Sequence, residues 1–386
     1  MLVSQDWDLN LEVGSGSVLA EASSVTEWIN AISQLTFVII FLLLFLGFNQ
    51  KLQVFIWSRN IRARLAILES LARESRDKIV KVLGEKGLKD SDRLVEKVVE
   101  YFVIQPVEIE PIDIIKRLEH VFRTRESRLE GLVEQALPSA DRRERSLILT
   151  SLEILLALNY IFKYVRHLLL TGRKTNNWLL IMQLEMLMPQ IMRFAQTYRK
   201  ALDVFMDGKP IGDGLGPLVA FNLAKFKEPR EIAKDTVYYT VEIENRKAYV
   251  IKARGPESNV GHPGVAVEKL VRMLNERNEE IGMIITVDAA LKLEGEETGS
   301  IAEGAGAAIG DPGPEKIRIE RVASEFKIPL HAIVVKMSME EAILEMKKEI
   351  AEAVPKVIDR IKELAKLTQS GKSLVIVGIG NTVGIS

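Results

Sequence analysis

The chain has 386 residues, of which 47% are hydrophobic and 27% are charged, and its formal net charge is −1. This length and composition predict a sizeable core and two or more compact units, and the balanced charge argues against nucleic acid as a partner, because such binding depends on a basic face. The absence of cysteine excludes disulfides, zinc–thiolate sites and cysteine nucleophiles.

The N-terminal fifty residues carry a membrane signal. No charged residue occurs in 28–50, and Leu35–Phe48 is almost entirely apolar, so this stretch is long enough to cross a bilayer as one helix. Acidic residues precede it and basic residues follow from Lys51 onward, which also argues against a signal peptide. The positive-inside rule then predicts a single-pass protein of the cell membrane, with an extracytoplasmic tail at 1–27 and a cytoplasmic body.

Residues 51–206 are predicted to form an all-helical domain, because apolar residues recur at helical spacing with charges on the other faces. Two prolines interrupt this pattern and indicate an extended connector at 103–111. Further helices are expected at 112–137, from a cap at Asp141 to about residue 170, and at 177–205.

Two segments of this domain, Leu147–Leu158 and Trp178–Met192, are apolar enough to be considered as membrane spans. Glu153 and Glu185 lie inside them, and a carboxylate near the centre of a bilayer is costly. We therefore interpret both segments as buried helices of a bundle. Packing on a membrane surface, or between subunits of a homo-oligomer, is the alternative.

After residue 206 the pattern changes to strands, glycine-containing loops and helices, which predicts an α/β domain at 207–386 with a largely parallel sheet. Val237–Ile243 and Ala248–Ala253 are expected to form a hairpin, and Met283–Val287 a buried strand that ends at Asp288. The remaining predicted elements are helices at 218–226 and 265–275, strands at 331–335 and 374–377, and two charged helices between 339 and 367. The fold class is therefore α+β multidomain, with one transmembrane helix, a helical domain and a C-terminal α/β domain.

Glycine-containing loops are the strongest candidates for a site. The tightest cluster, Pro210–Pro217, leads directly into a helix, which places Asp213 beside a helix N-terminus and lets the backbone approach a ligand closely. Ligands of open α/β sheets bind beyond the carboxyl ends of the strands, where Asp288 and Gly378–Asn381 are expected. The predicted ligand-binding positions in the loops are Gly212, Gly214, Gly216, Asn259, Gly261, Gly304, Gly306, Gly378, Gly380 and Asn381.

The motifs of these loops resemble those of two protease families. Asp213-Gly-Leu-Gly-Pro-Leu-Val before a helix, Asp288-Ala-Ala-Leu after a strand and Gly378-Ile-Gly-Asn after the last strand are similar to hydrogenase-maturation endopeptidases and bacterial spore-germination proteases. Ile328–Val335 also resembles a strand of the germination proteases. In those families Gly-x-Gly-Asn comes first, so the resemblance, which covers 207–386, implies a circular permutation. The whole chain also resembles an archaeal family of membrane-anchored proteins of unknown function.

The resemblance implies a peptidase-like hydrolase that acts on a peptide or protein, with Asp213 and Asp288 as catalytic residues. In those families the corresponding carboxylates activate water directly or hold a divalent metal, for which the candidate ligands here are Asp213, Asp288, His262 and Glu303. Two acids at neighbouring strand ends repel, so that one pKa rises and the pair can act as general acid and base. Alternatively, the two aspartates only cap a helix and a turn.

Two other functions are open at this stage. The glycine loops, with Lys252 and Arg254 nearby in the sequence, would suit a phosphate- or nucleotide-binding sensor or scaffold without catalysis. The third hypothesis is an oligomeric structural membrane protein whose α/β domain is degenerate. The residues do not specify the substrate, the metal or the number of subunits.

Overall fold

The computed structural model describes residues 32–41, 48–102, 104, 113–310 and 313–386. The predicted tail, most of the predicted connector and parts of the predicted membrane span lie outside the described residues. The chain divides into two compact units. One contains the described residues up to Ala63 together with His167–Met186, and the other contains Arg64–Arg166 and Leu187–Ser386.

Helix α1 (Ile32–Phe41) is the described part of the predicted membrane span. Its apolar side chains are exposed, among them Leu35 at 63% and Phe37 at 71%. A helix that crosses a bilayer needs about 20 residues, more than the described part contains. The crossing of a membrane by residues 28–50, and its orientation, therefore stay predictions.

The remaining described helices before residue 207 follow the predicted pattern. They are α2 (Phe48–Glu85), α3 (Ser91–Val99), α4 (Ile114–Ala136), α5 (Arg142–Lys174) and α6 (Trp178–Met206). The predicted cap at Asp141 is confirmed, since its carboxylate accepts the backbone N–H of Glu144 at 2.7 Å. Asn177 caps α6 in the same way, accepting the N–H of Leu180 at 3.0 Å.

Among the described residues, α5 is the one helix long and apolar enough to cross a membrane. This is weak evidence for membrane association, because core helices of soluble proteins meet the same criterion. Leu152 and Leu155 of α5 are buried, and Glu153 forms an ion pair with Arg125 of α4 at 2.9 Å. A buried face and an ion pair with a neighbouring helix are the contacts expected of a bundle helix. The presence of Glu153 inside the apolar segment predicted this.

The C-terminal part forms a seven-stranded mixed sheet, not the largely parallel one predicted. Its strands are β1 (Arg230–Ala233), β2 (Thr236–Ile243), β3 (Arg246–Ala253), β4 (Ile281–Leu291), β5 (Ile301–Ala305), β6 (Leu330–Met337) and β7 (Ser373–Gly378). The spatial order is β1-β2-β3-β7-β4-β6-β5. The four strands from β3 to β6 in this order are parallel, and β1, β2 and β5 pair antiparallel outside them. The predicted hairpin is confirmed as β2 and β3.

Helices cover both faces of this sheet. On one face α7 (Leu215–Ala224) and α12 (Ala353–Leu367) pack on the strands, and on the other face α8 (Pro263–Glu276) and α9 (Pro314–Glu325) do so. Two short helices, α10 (Met339–Ile343) and α11 (Lys348–Ala351), precede α12. The two apolar layers that result hold the central strands rigidly.

The last strand, β7, lies in the middle of the sheet and pairs with both β3 and β4. Asp288 was predicted at the end of a strand, but it lies within β4, because β4 continues along β6 as far as the pair Leu291 and Met337. The segment that follows β7 therefore emerges beside Asp288, at the carboxyl edge of the parallel strands.

Candidate active site

Two loops meet at this edge through very close backbone contact. A Cβ atom on Gly216 would overlap the carbonyl oxygen of Ile379, and one on Gly378 would overlap that of Gly216. A Cβ atom on Gly212 would likewise overlap the carbonyl oxygen of Glu341. These glycines, predicted as ligand-binding positions, contact the chain's own backbone, and they allow the loop before α7 to pack on the segment after β7.

Asp213 lies on a 3-10 turn, Gly212–Gly214, immediately before α7. Its Oδ2 accepts the backbone N–H of Asn381 at 2.9 Å. Gly380 is required beside it, because its φ is +135° and a Cβ there would overlap the carbonyl oxygen of Asp213. Burial raises the pKa of the Asp213 carboxyl above its usual value.

Asp288 is only 4% exposed. Its Oδ1 accepts the backbone N–H of Ala289 at 2.7 Å, and its Oδ2 accepts that of Gly310 at 3.1 Å. Burial raises the pKa of Asp288 well above its usual value, and the nearby charge of Asp213 raises it further. The structure thus brings the two predicted aspartates within electrostatic reach of each other.

Neither aspartate has a cationic partner among the described residues, since no positive side chain acts on the pKa of either. Two like charges that share a buried place do not both ionise readily, so the pair retains a proton at a pH where free carboxyls have lost theirs. When two carboxyl groups contact the same space, the neutral one can act as a general acid and the charged one as a general base.

A cavity of about 420 Å³ is lined by both Asp213 and Asp288, and we call it the aspartate cavity. Much of its wall is apolar and comes from the loop before α8, the loop before α9, the segment after β7 and helix α4. The apolar residues in this wall are Phe122, Val260, Pro263, Ala289, Ile309, Pro314 and Ile379. Gly261 and Gly380, two of the predicted loop positions, also line it.

His262, a predicted metal candidate, lines the same cavity but is already engaged. Its ring nitrogens lie 3.7 Å from Glu126 and 3.5 Å from Glu315. These are ion-pair distances, and the two carboxylates, Glu126 foremost, raise the pKa of His262 to about 9. His262 is therefore a cation at neutral pH, and an imidazolium offers no lone pair to a metal. Glu315 also accepts the backbone N–H of Gly264 at 2.6 Å, which fixes it at the start of α8.

Other predicted positions are not brought to the cavity. Glu303 lies on the edge strand β5, exposed, with Arg360 at 3.4 Å, and Gly304 and Gly306 have open space around them. None of the three is among the lining residues. Asn259 lies in an adjoining polar cavity of about 570 Å³, where its amide donates to Glu257 at 3.2 Å.

Sequence reasoning missed the contribution of α4. Its residues Glu119, Phe122, Arg123 and Glu126 all line the aspartate cavity. They are spaced as one face of a helix, but nothing in their chemistry links them to a site almost one hundred residues later. Ile309 and Gly310 were also missed, although they follow the predicted positions Gly304 and Gly306 by only a few residues.

A three-carboxylate group with the spacing of a metal site occurs in the described residues at Glu126, Glu130 and Asp235. Its carboxylates already have cationic partners, because Lys234 pairs with both glutamates at 2.8 Å and Arg142 pairs with Asp235. Asp213 and Asp288 do not belong to such a group. No third histidine or carboxylate of the described residues joins the two aspartates, so a divalent ion there would also need ligands such as backbone carbonyls, water or substrate.

Two family models match the chain. The model described as "Protein of unknown function (DUF1512) N-terminal domain" matches residues 35–208, and "Domain of unknown function (DUF1512) C-terminal" matches residues 211–386. No curated protein matches.

Proposed function

The chain belongs to the DUF1512 family, and because that family's description specifies no reaction, we propose one from the site: hydrolysis of an amide bond, with Asp213 and Asp288 as the acid–base pair. One observation carries the proposal. The buried Asp288 and the half-buried Asp213, neither with a cationic partner among the described residues, line one largely apolar cavity at the carboxyl edge of parallel strands, where active sites of α/β folds lie.

The difference between the two pKa values assigns the roles. Asp288, whose pKa is raised further, holds the proton, and Asp213 is the carboxylate that accepts one. Asp213 takes a proton from water while the water oxygen bonds to the amide carbon. Asp288 then gives its proton to the amide nitrogen as the carbon–nitrogen bond breaks, and the products are a carboxylic acid and an amine.

The surroundings of the pair support this chemistry. The N–H groups of Asn381, Ala289 and Gly310 fix the orientation of both carboxyl groups, and such preorganisation lowers the cost of reaching the transition state. The apolar walls exclude water and strengthen electrostatic interactions inside the cavity. They would also hold an apolar side chain next to the bond that is cleaved.

The charges around the cavity disfavour the phosphate-binding alternative. Lys252 is 1% exposed and its Nζ donates to the carbonyl of Ala253 at 3.2 Å. Arg254 pairs with Glu231. Neither cation lines the aspartate cavity. The cations that do line it, Arg123 and His262, are already paired with carboxylates, so they are poorly placed to neutralise a phosphate.

We also propose that residues 28–50 anchor the protein in the membrane. A single span at 28–50 with the N-terminus outside, supported by the acidic residues before it and the basic residues from Lys51, would tether the hydrolase to the cytoplasmic face of the cell membrane. Its substrate would be a peptide or a protein that reaches that face. Protease accessibility of the tail in intact cells tests this orientation.

The test of the reaction uses the full chain purified in detergent and a mixed peptide library, with new termini identified by mass spectrometry. Asp213→Asn and Asp288→Asn should each lower cleavage by about 100-fold or more, the scale of a lost acid or base. Glu303→Gln removes a carboxylate outside the cavity and serves as the matched control. Wild-type cleavage by both aspartate variants would refute the pair, and loss of activity with a chelator would show that a metal takes part.

A further inference from the structure

We propose that the aspartate cavity binds a primary ammonium group carried on a small apolar body. The free amino end of a peptide and the amine released by amide hydrolysis share this chemistry. The inference concerns the same two aspartates as the proposed hydrolysis, but it requires only binding, so that the two can fail separately.

The other charged residues that line the cavity have oppositely charged partners. Glu119 pairs with Arg123 and, at 2.6 Å, with Arg318, so this carboxylate is neutralised. Glu126 and Glu315 flank the cationic His262 at 3.7 and 3.5 Å. Among the described lining residues, the two aspartates are therefore the charged groups left without an oppositely charged side chain.

The lack of an oppositely charged side chain is important because the aspartates are shielded from solvent. Asp288 is 4% exposed, and a buried charge without a counter-charge is costly. Asp288 and the half-buried Asp213 both line the cavity. A cation that enters the cavity can therefore provide the compensation that the chain's own side chains do not.

The walls select the kind of cation. A divalent metal ion prefers a shell of about six oxygen ligands, and the wall residues Val260, Pro263, Ile309 and Ile379 offer none from their side chains. An ammonium group carries three N–H donors, which suit carboxylate oxygens, while its carbon body can pack on these apolar residues. The site is therefore matched to an organic amine better than to a bare ion.

The size of the cavity limits the body of the ligand. A volume of about 420 Å³ is near the lower end of small-molecule sites and suits one apolar side chain with its amine. The adjoining polar cavity of about 570 Å³ shares Glu126, Val260, Gly261 and His262 with it. A longer peptide chain has a polar path to follow in that direction.

Binding of an ammonium group should release a proton. Burial raises the pKa of both aspartates, and the charge of Asp213 raises that of Asp288 further, whereas a bound cation favours the fully charged state. Affinity should then increase as pH rises and the free pair loses its proton, and the heat of binding should depend on the buffer that takes up the proton.

Isothermal titration of the full chain in detergent tests this inference, with leucinamide and isoamylamine as probes. N-acetyl-leucinamide is the neutral counterpart of the first probe. We expect both amines to bind with release of up to one proton, and the neutral compound to bind about tenfold more weakly or not at all. Tighter binding of leucinamide would identify a peptide end as the natural ligand, and equal binding the released amine.

Variants of the two aspartates test whether these residues bind the amine. Asp213→Asn and Asp288→Asn should each weaken amine binding about tenfold or more, whereas Glu303→Gln should bind as the wild type does. Equal binding of the neutral compound, no binding of either amine, or proton-releasing binding of manganese alone would each overturn the proposal. Amine binding without peptide cleavage would instead overturn the hydrolase and leave this inference standing.

Discussion

Asp213 and Asn381 are separated by 168 positions in the chain, and the backbone N–H of Asn381 donates a hydrogen bond of 2.9 Å to the Asp213 carboxyl. The bond exists because β7 lies between β3 and β4, which directs the last residues across the strand ends. The C-terminal segment is therefore a structural part of the site, and changes there should act on Asp213.

The coupling between the aspartates predicts the behaviour of Asp213→Asn. Loss of the Asp213 charge should lower the pKa of Asp288, because that charge adds to the burial that raises it. The asparagine can still accept the N–H of Asn381 through its Oδ1. Carboxyl ¹³C NMR titration measures the pKa directly, and an unchanged Asp288 titration would contradict the pairing.

The same variant, Asp213→Asn, should be more stable than the wild type at neutral pH. A carboxyl whose folded pKa is raised stabilises the fold below its unfolded pKa and loses that contribution as pH rises through the folded value. Removing one such group therefore flattens the decline of stability above about pH 4. Urea unfolding at several pH values tests this, and a steeper decline in the variant would count against it.

His262→Gln should destabilise the protein at low and neutral pH. The folded pKa of about 9 exceeds the ordinary value of 6.5, so the contribution of His262 is complete below pH 6.5 and is lost as pH rises through 9. The difference from the wild type should be about 2–3 kcal/mol near pH 6 and should vanish above about pH 9. His120→Gln, on an exposed position of α4, is the control in urea unfolding, and a pH-independent difference would contradict the ion-pair explanation.

Gly378→Ala and Gly304→Ala form a matched pair. A Cβ at Gly378 would overlap the carbonyl oxygen of Gly216, whereas one at Gly304 meets open space. We expect a loss of about 3 kcal/mol or more for the first, because two backbones must separate, and a change within about 0.5 kcal/mol for the second. Similar unfolding free energies for the two variants would show that the close approach is not needed.

Arg318→Met should loosen the wall that α4 contributes to the cavity. Arg318 holds Glu119 of α4 at 2.6 Å, while the later part of α4 is anchored by buried residues such as Leu129. Hydrogen exchange should therefore accelerate at 114–126 and change little at 129–136. Arg272→Met removes an arginine paired with Glu325 and is the control. Uniform acceleration along α4 would indicate general destabilisation instead.

Much of the local structure followed from patterns within a few residues. The turn at Asn245 predicted the β2–β3 hairpin, and Asp141 marked the start of a helix. Strand β5 was read as part of a loop, because Ile301-Ala-Glu-Gly-Ala305 lacks the alternating large apolar residues of a half-buried strand. Helix α9 was missed for a similar reason, since its charged residues mask a buried face that includes Ile319.

The sequence by itself determined most of the helices and strands, the absence of thiol chemistry and the choice of Asp213 and Asp288 as candidate site residues, because periodicity, backbone preference and composition act over short distances. Only the tertiary structure decided which charges are neutralised. It paired His262 with Glu126 from another part of the chain and left Asp213 and Asp288 with each other. Desolvation and Coulomb interactions depend on separation in space, and no sequence spacing encodes that distance.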